Sequence, residues 1–190
     1  IIEKFVSFGF TNFIFTINHK AKIIKAYLNE RKSDLKINFI EESFPLGTIG
    51  AIKFLEKKIK KDFFVANCDT IINIDYKDLY LFHKKNSNAI TIIASAKEYK
   101  IPYGVCELNN DGLLDSIKEK PKFNFLASSG IYVLNPNVFK LIPNKKKFNF
   151  TNLISAAKKE EFKVGVYPID DKLWLDVGQW NELKKVVDFL

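Results

Sequence analysis

The chain has 190 residues, 47% hydrophobic, 27% charged and 14% aromatic, with a formal net charge of +8. That is enough apolar material for one sizeable core, and the scarcity of glycine and proline excludes collagen-like, low-complexity and disordered classes. No stretch approaches the roughly 18 uncharged apolar residues of a membrane span, and the first residues lack the basic-then-apolar layout of a secretory signal. Cys68 and Cys106 are the only cysteines and form no Cys-x-x-Cys pair. A disulfide scaffold or cysteine-rich zinc site is therefore not expected, and a reducing cytoplasm is the expected compartment. The basic residues are almost all lysine, with Arg31 the sole arginine. Readers of base edges lean on the bidentate arginine fork, so no nucleic-acid partner is expected. Runs such as Lys57-Lys58 and Lys145-Lys146-Lys147 read as solvated surface, or as a basic patch for phosphate-bearing ligands.

There is no methionine, and Ile1 to Val6 already has helical apolar spacing without a cap before it. This segment reads as the end of a helix closed by Gly9, in a chain cut from something longer. Phe13–Ile17 predicts a strand buried on both faces. His19–Asn29 predicts an amphipathic helix with Ile23, Ile24, Tyr27 and Leu28 on one side. Leu35–Ile40 alternates as a strand. After a loop over Glu41–Pro45, Leu46-Gly47-Thr48-Ile49-Gly50 leads into a helix reaching about Lys61. Phe63–Ala66 is a third apolar strand, ending in Asn67-Cys68-Asp69. Asp75 caps a helix running to Lys85, and Ala89–Ala96 is a β-branched strand. Tyr103–Leu108 and Leu113–Lys118 form a hairpin through Asn109-Asn110-Asp111-Gly112. Gly130–Leu134 is a strand, Pro136 opens a short helix to Leu141, and Phe150–Lys159 is a helix with Thr151 near its start. Lys163–Ile169 and a short piece around Asp176 are strands, and Trp180–Leu190 closes the chain as a helix. Strand–helix alternation followed by a hairpin implies a mixed sheet within one domain.

Ligands of such sheets bind beyond the carboxyl ends of the strands. Asp69 lies there, where a carboxylate either holds a hard divalent cation or caps the next turn. Asp176, set among Trp174, Leu175, Val177 and Gly178, either binds a metal or caps the helix that follows. Leu46-Gly47-Thr48-Ile49-Gly50 allows close backbone approach and an anion at a helix start, or is an ordinary turn. Glu119-Lys120-Pro121 offers an acid for hydroxyls and a base for phosphate, or is an exposed ion pair. His19 and His83 lack metal-ligand spacing, and Cys68 reads as a small packed thiol.

Six pieces in fixed order carry a resemblance: Leu46-Gly47-Thr48-x-Gly50, Asn67-x-Asp69, Pro102-Tyr103-Gly104-Val105, Glu119-Lys120-Pro121, Gly130-Ile131-Tyr132-Val133-Leu134 and Trp174-x-Asp176-x-Gly178. Together they resemble the sugar-phosphate nucleotidylyltransferases, of the mannose-1-phosphate guanylyltransferase type, over essentially the whole chain. The resemblance implies a three-layer α/β/α fold with a mixed, mostly parallel central sheet. It also implies transfer from a nucleoside triphosphate to a sugar-1-phosphate, giving an NDP-sugar and pyrophosphate, with the Leu-Gly-Thr-x-Gly loop tilting the nucleotide towards guanosine. By position, Asp69 and Asp176 would be catalytic Mg²⁺ ligands and Lys120 would hold the sugar phosphate. Gly104 and Glu119 would contact the sugar, while Leu46, Gly47 and Thr48 would lie along the nucleoside with Glu42 reading the base. A homo-oligomer is compatible with it.

The sequence also departs from the family. Residues 1–190 read as one nucleotidyltransferase domain lacking the family's N-terminal strand and Gly-rich triphosphate loop. Cys68 replaces the glycine of an Asn-Gly-Asp turn, and Ser128 stands where an asparagine touches the sugar. These departures imply that the 190 residues alone turn over little, and they motivate an alternative: a nucleotide-sugar-binding regulatory domain of the same fold.

Overall fold

The computed structural model describes residues 1–30 and 35–178. Arg31 and the helix expected over Trp180–Leu190 fall outside them. The elements are α1 (Ile2–Ser7), β1 (Asn12–Ile17), α2 (Ala21–Glu30), β2 (Lys36–Glu41), β3 (Phe63–Ala66), β4 (Thr70–Ile72), α3 (Tyr76–Lys85), β5 (Ile90–Lys100), β6 (Val105–Leu108), β7 (Leu114–Lys118), β8 (Lys122–Leu134), α4 (Phe150–Lys159), β9 (Val164–Asp170) and β10 (Trp174–Asp176).

A four-stranded sheet in the order β3-β8-β5-β9 forms the middle layer. β8 is antiparallel to both neighbours and β5–β9 is parallel, so β3, β5 and β9 point one way and β8 the other. Alternation along the strands divides the core into two faces. Ile90, Tyr132 and Leu134 pack with Val138, Phe139, Phe150 and Leu153 on one side. Ile93, Ile131 and Val133 pack with Phe5, Tyr76 and Leu79 on the other. α4 and two 3₁₀ turns, Gly50–Leu55 and Pro136–Leu141, thus cover one face, and α1 and α3 the other. This is the expected three-layer α/β arrangement with a mixed sheet.

Several local expectations are corrected. β1 is not buried on both faces: alternate residues face solvent, and among the described residues its ladder is with β2 alone. Phe13 packs against one core cluster and Ile40 against the other. On α2 the inward residues are Ala21 and Leu28, with Ile23 and Tyr27 exposed. The helix expected to run from Gly50 to about Lys61 is a six-residue 3₁₀ turn. Its packing into the core around Ile49, Ile52 and Leu55 outweighs any propensity of the lysine run to extend it. β5 and β8 are longer than their apolar cores suggest, because residues 97–100 and 122–125 pair as a two-stranded ribbon beyond the reach of β3 and β9.

One polar group sits within the α3 face. Asp75 caps α3, accepting from the Lys77 amide at 2.7 Å, and near the other end His83 is 1% exposed. Its Nδ1 lies 2.8 Å from Thr91 Oγ1. Burial pushes the His83 imidazole below its ordinary value of 6.5; Asp62 pulls it up and Lys84 pushes it down again. The unfolded chain thus takes up this proton more readily than the folded one, and stability is lost as pH falls below about 6.5 towards the depressed folded value. Urea midpoints are expected to drop between about pH 7 and pH 5, with His83→Gln flattening that part of the profile. Parallel profiles for the two proteins would contradict this.

Candidate active site

β10 pairs with β4 antiparallel, setting Trp174 opposite Ile72, Leu175 opposite Ile71 and Asp176 opposite Thr70. Asp69 immediately precedes β4, and its carbonyl accepts from the Val177 amide at 2.9 Å. The two carboxylates therefore come from distant parts of the sequence to one place. A Cβ on Gly178 would lie 2.8 Å from Asp69 Oδ2 and 3.2 Å from Asp176 Oδ1, and the Gly178 amide donates to Asp176 Oδ1 at 3.1 Å. Only a residue without a side chain leaves this point between the acids open.

The pair is anchored to the central sheet. Thr70 Oγ1 donates to the Ser129 carbonyl at 2.7 Å and accepts from Trp174 Nε1 at 2.9 Å. The Asn67 amide donates to the Gly130 carbonyl at 2.9 Å. The Asn67 bond continues the β3–β8 ladder by one rung; the Ser129 carbonyl is left for Thr70 because β8 bulges against β5: Ile92 pairs with Tyr132 but Ala94 pairs with Ser128, leaving Ser129–Ile131 opposite Ile93 alone. Gly130, at φ +84°, turns the bulge, and a Cβ there would be 2.6 Å from Asn67 Nδ2. Thr70–Ile72 was missed as a strand, although its β-branched run is a signal for one. Cys68, expected as a packed thiol, is exposed on this loop.

Glu119 and Lys120 occupy the turn between β7 and β8. Lys120 Nζ lies 3.6 Å from Glu119 Oε1, both side chains largely exposed. The Lys120 amide donates to the Tyr103 carbonyl at 3.2 Å, and the Ile101 amide to the Pro121 carbonyl at 3.0 Å. A Cβ on Gly104 would sit 3.3 Å from Glu119 Oε2, so the structure joins Gly104, Glu119 and Lys120. Lys120 has φ +45° directly before Pro121, a left-handed conformation that costs a non-glycine residue on the order of 1–3 kcal/mol and tends to mark functional sites.

The loop at residues 42–50 has a different construction from that expected. Glu42 Oε2 accepts from the Leu46 amide at 2.8 Å. Thr48 N donates to Asn149 Oδ1 at 3.2 Å, and Ile49 N and Gly50 N both donate to the Phe148 carbonyl at 3.1 Å. These amides are used within the protein, so no anion cradle forms at a helix start. Gly47, at φ +80°, and Gly50 admit residues 146–149: a Cβ on Gly47 would be 2.6 Å from the Phe148 carbonyl, and one on Gly50 2.9 Å from the Lys146 carbonyl. Asn149, the residue capping α4, was not singled out; its place ahead of Phe150–Lys159 is the signal.

A continuous path ties this loop to the acids. Thr48 Oγ1 accepts from the Phe150 amide at 2.9 Å. The Phe150 ring stacks on Tyr132 at 3.5 Å, Tyr132 OH is 3.1 Å from Ser128 Oγ, and neighbouring Ser129 holds Thr70.

The family model described as "Nucleotidyl transferase" matches residues 1–190. The chain belongs to the nucleotidyl transferase family. Mannose-1-phosphate guanyltransferase 2 of Candida glabrata is 34% identical over 189 residues, covering 94% of this chain and 51% of the relative. The enzyme named mannose-1-phosphate guanyltransferase in Saccharomyces cerevisiae is 33% identical with the same coverages. The chain thus spans about half the length of the curated relatives it matches. Among solved structures, HddC from Yersinia pseudotuberculosis superposes with a TM-score of 0.71 at 26% identity, covering 98% of this chain and 82% of that one, and has also been solved with GMP-PN.

In this member of the nucleotidyl transferase family, replacing Gly178 with alanine fills the space between the acids. Gly178→Ala is expected to weaken Mn²⁺ binding at least about 10-fold, read by electron paramagnetic resonance, while changing the melting temperature little. Unchanged Mn²⁺ affinity would show that the point beside Gly178 is not where a cation is held.

Proposed function

We propose that the protein acts in nucleotidyl transfer from a nucleoside triphosphate, with guanosine the favoured nucleoside, to a sugar-1-phosphate. The observation that carries this is the meeting of Asp69 and Asp176 beside Gly178. In the reaction, a phosphate oxygen of the sugar-1-phosphate attacks the α-phosphorus. The bond to the β-phosphate bridging oxygen breaks, and pyrophosphate leaves with the electron pair.

Two convergent carboxylates on one side of a site fit a hard cation such as Mg²⁺, which takes few protein oxygens and completes its shell with water and phosphate. When bound, such a cation supplies charge neutralisation to the phosphates. Asp69 and Asp176 would hold it, and β4–β10 pairing keeps the two acids in place without substrate. Lys120 would bind the sugar phosphate, with Glu119 and Gly104 meeting the sugar hydroxyls and Ser128 touching the sugar. Leu46, Gly47 and Thr48 would line the nucleoside. Glu42, which already orders the loop through the Leu46 amide, would read the base. The guanosine assignment draws on the names of the guanyltransferase relatives and the GMP-PN complex of HddC. Residues 1–190 would act as one domain, and the exposed free thiols of Cys68 and Cys106 suit a reducing cytoplasm.

The second reading, a regulatory domain that binds nucleotide sugar without turnover, is favoured by exposed Cys68 in the acid-bearing loop. Pyrophosphate release from GTP and mannose 1-phosphate with Mg²⁺ separates the two. The assay compares the 190 residues alone with a longer chain carrying a glycine-rich loop ahead of Ile1. The longer chain is expected to turn over, and to slow by at least about 100-fold with Asp69→Asn or Asp176→Asn. The 190 residues alone are expected to stay near background. Turnover that survives both replacements would refute the assignment, and tight GDP-mannose binding without turnover in the longer chain would favour the regulatory reading.

A second expectation concerns Lys120. Lys120→Gly removes the ammonium and relieves the left-handed strain together. It is expected to raise KM for the sugar-1-phosphate at least about 10-fold without lowering the melting temperature. An unchanged KM would remove Lys120 from the site.

A further inference from the structure

Lys97 sits where β9 leaves the central sheet. Ala96 pairs with Asp170 as the last rung of the β5–β9 ladder, and Lys97 is the next residue of β5. From Asp170 the chain passes through a 3₁₀ turn, Asp171–Leu173, directly into β10. The connection to the strand that carries Asp176 therefore starts beside Lys97.

Two groups on that connection meet the Lys97 ammonium. Lys97 Nζ forms an ion pair with Asp171 Oδ1, and it lies 4.7 Å from the centroid of the Trp174 ring, within cation–π range. Asp171 Oδ1 also accepts from the hydroxyl of buried Ser95 at 3.2 Å, which ties the carboxylate to the sheet. An exposed ion pair alone contributes little. Here the same ammonium holds both ends of a four-residue segment.

That segment needs holding. β10 has three rungs, and among the described residues its ladder is with β4 alone. A two-stranded ladder is marginal without further packing. Trp174 is fastened at its edge by the Nε1 donation to Thr70 Oγ1, and Lys97 covers its ring. Trp174 and Asp176 are two residues apart on β10, so they share one side of the strand. We propose that Lys97 is a positioning residue for the acid pair: by clamping Asp171 and Trp174 it keeps β10, and with it Asp176, in register with Asp69. The effect on cation binding rests on the acid pair being the cation site; the grip on β10 does not.

Lys97→Met keeps the aliphatic stem and removes the charge. Hydrogen exchange followed by NMR reads the ladder at two bonds, the Val177 amide to the Asp69 carbonyl and the Asn73 amide to the Leu173 carbonyl. The Asn135 amide, bonded to the Ala89 carbonyl, is the control. Exchange at Val177 and Asn73 is expected to quicken at least about 5-fold with Asn135 unchanged, and Mn²⁺ affinity, read by electron paramagnetic resonance, to weaken about 5-fold. Lys97→Arg, whose guanidinium pairs with a carboxylate and stacks on an indole, is expected to restore both. Asp171→Asn is expected to quicken the same two amides. Unchanged exchange in Lys97→Met would overturn the proposal, as would equal quickening at Asn135, which marks a general loss of stability. Faster exchange with unaltered Mn²⁺ affinity would overturn the positioning of Asp176, and failure of Lys97→Arg to restore the ladder would overturn the cationic clamp. Asp69→Asn tests the cation site separately: Mn²⁺ affinity that survives it removes the cation from the acid pair, whatever Lys97→Met does to exchange.

Discussion

The site depends on a short antiparallel ladder. Three residue pairs between β4 and β10 bring an acid that follows an early strand to an acid near the end of the described chain. Two carboxylates gathered beside one point repel each other, so something else must hold them there. Thr70 does so. Its hydroxyl donates to the Ser129 carbonyl and accepts from the Trp174 indole, tying β4, β8 and β10 together through one side chain. Thr70 is 3% exposed, so its loss would leave buried polar groups unpaired.

That anchor relies on an irregularity in the central sheet. In a regular ladder Ser129 would spend its backbone groups on β5 and Gly130 on β3. The bulge opposite Ile93 releases the Ser129 carbonyl to Thr70, while the Gly130 carbonyl continues the β3–β8 ladder to the Asn67 amide. Below the bulge, Ile131–Leu134 feeds alternate side chains into the two core clusters. Above it, β8 continues as an exposed ribbon towards the Glu119-Lys120-Pro121 turn. One strand thereby performs two tasks: its buried C-terminal half fixes the sheet, and its exposed N-terminal half pairs with β5 alone as the ribbon.

The sheet strands, the two-sided core and the hairpin were legible because their signals are local: apolar runs, period-two alternation and Asn109-Asn110-Asp111-Gly112. The motifs marked Asp69, Asp176 and Gly178, but nothing local states that β4 and β10 pair; only tertiary contact does. The packing of the Leu46-Gly47-Thr48-Ile49-Gly50 loop was not legible for a related reason. Its glycines do permit close approach, as expected, but what approaches is the 146–149 segment, about a hundred positions away in sequence. The His83–Thr91 contact escaped notice because a lone histidine on a helix carries no motif, and its importance comes from burial.

The most direct test of the acid pair is anomalous diffraction from crystals grown with Mn²⁺ and a guanine nucleotide. The account predicts one manganese peak bonded to carboxylate oxygens of both Asp69 and Asp176, next to Gly178 and in contact with nucleotide phosphate. A peak bonded to neither carboxylate, or nucleotide bound with the two acids turned away from it, would contradict it.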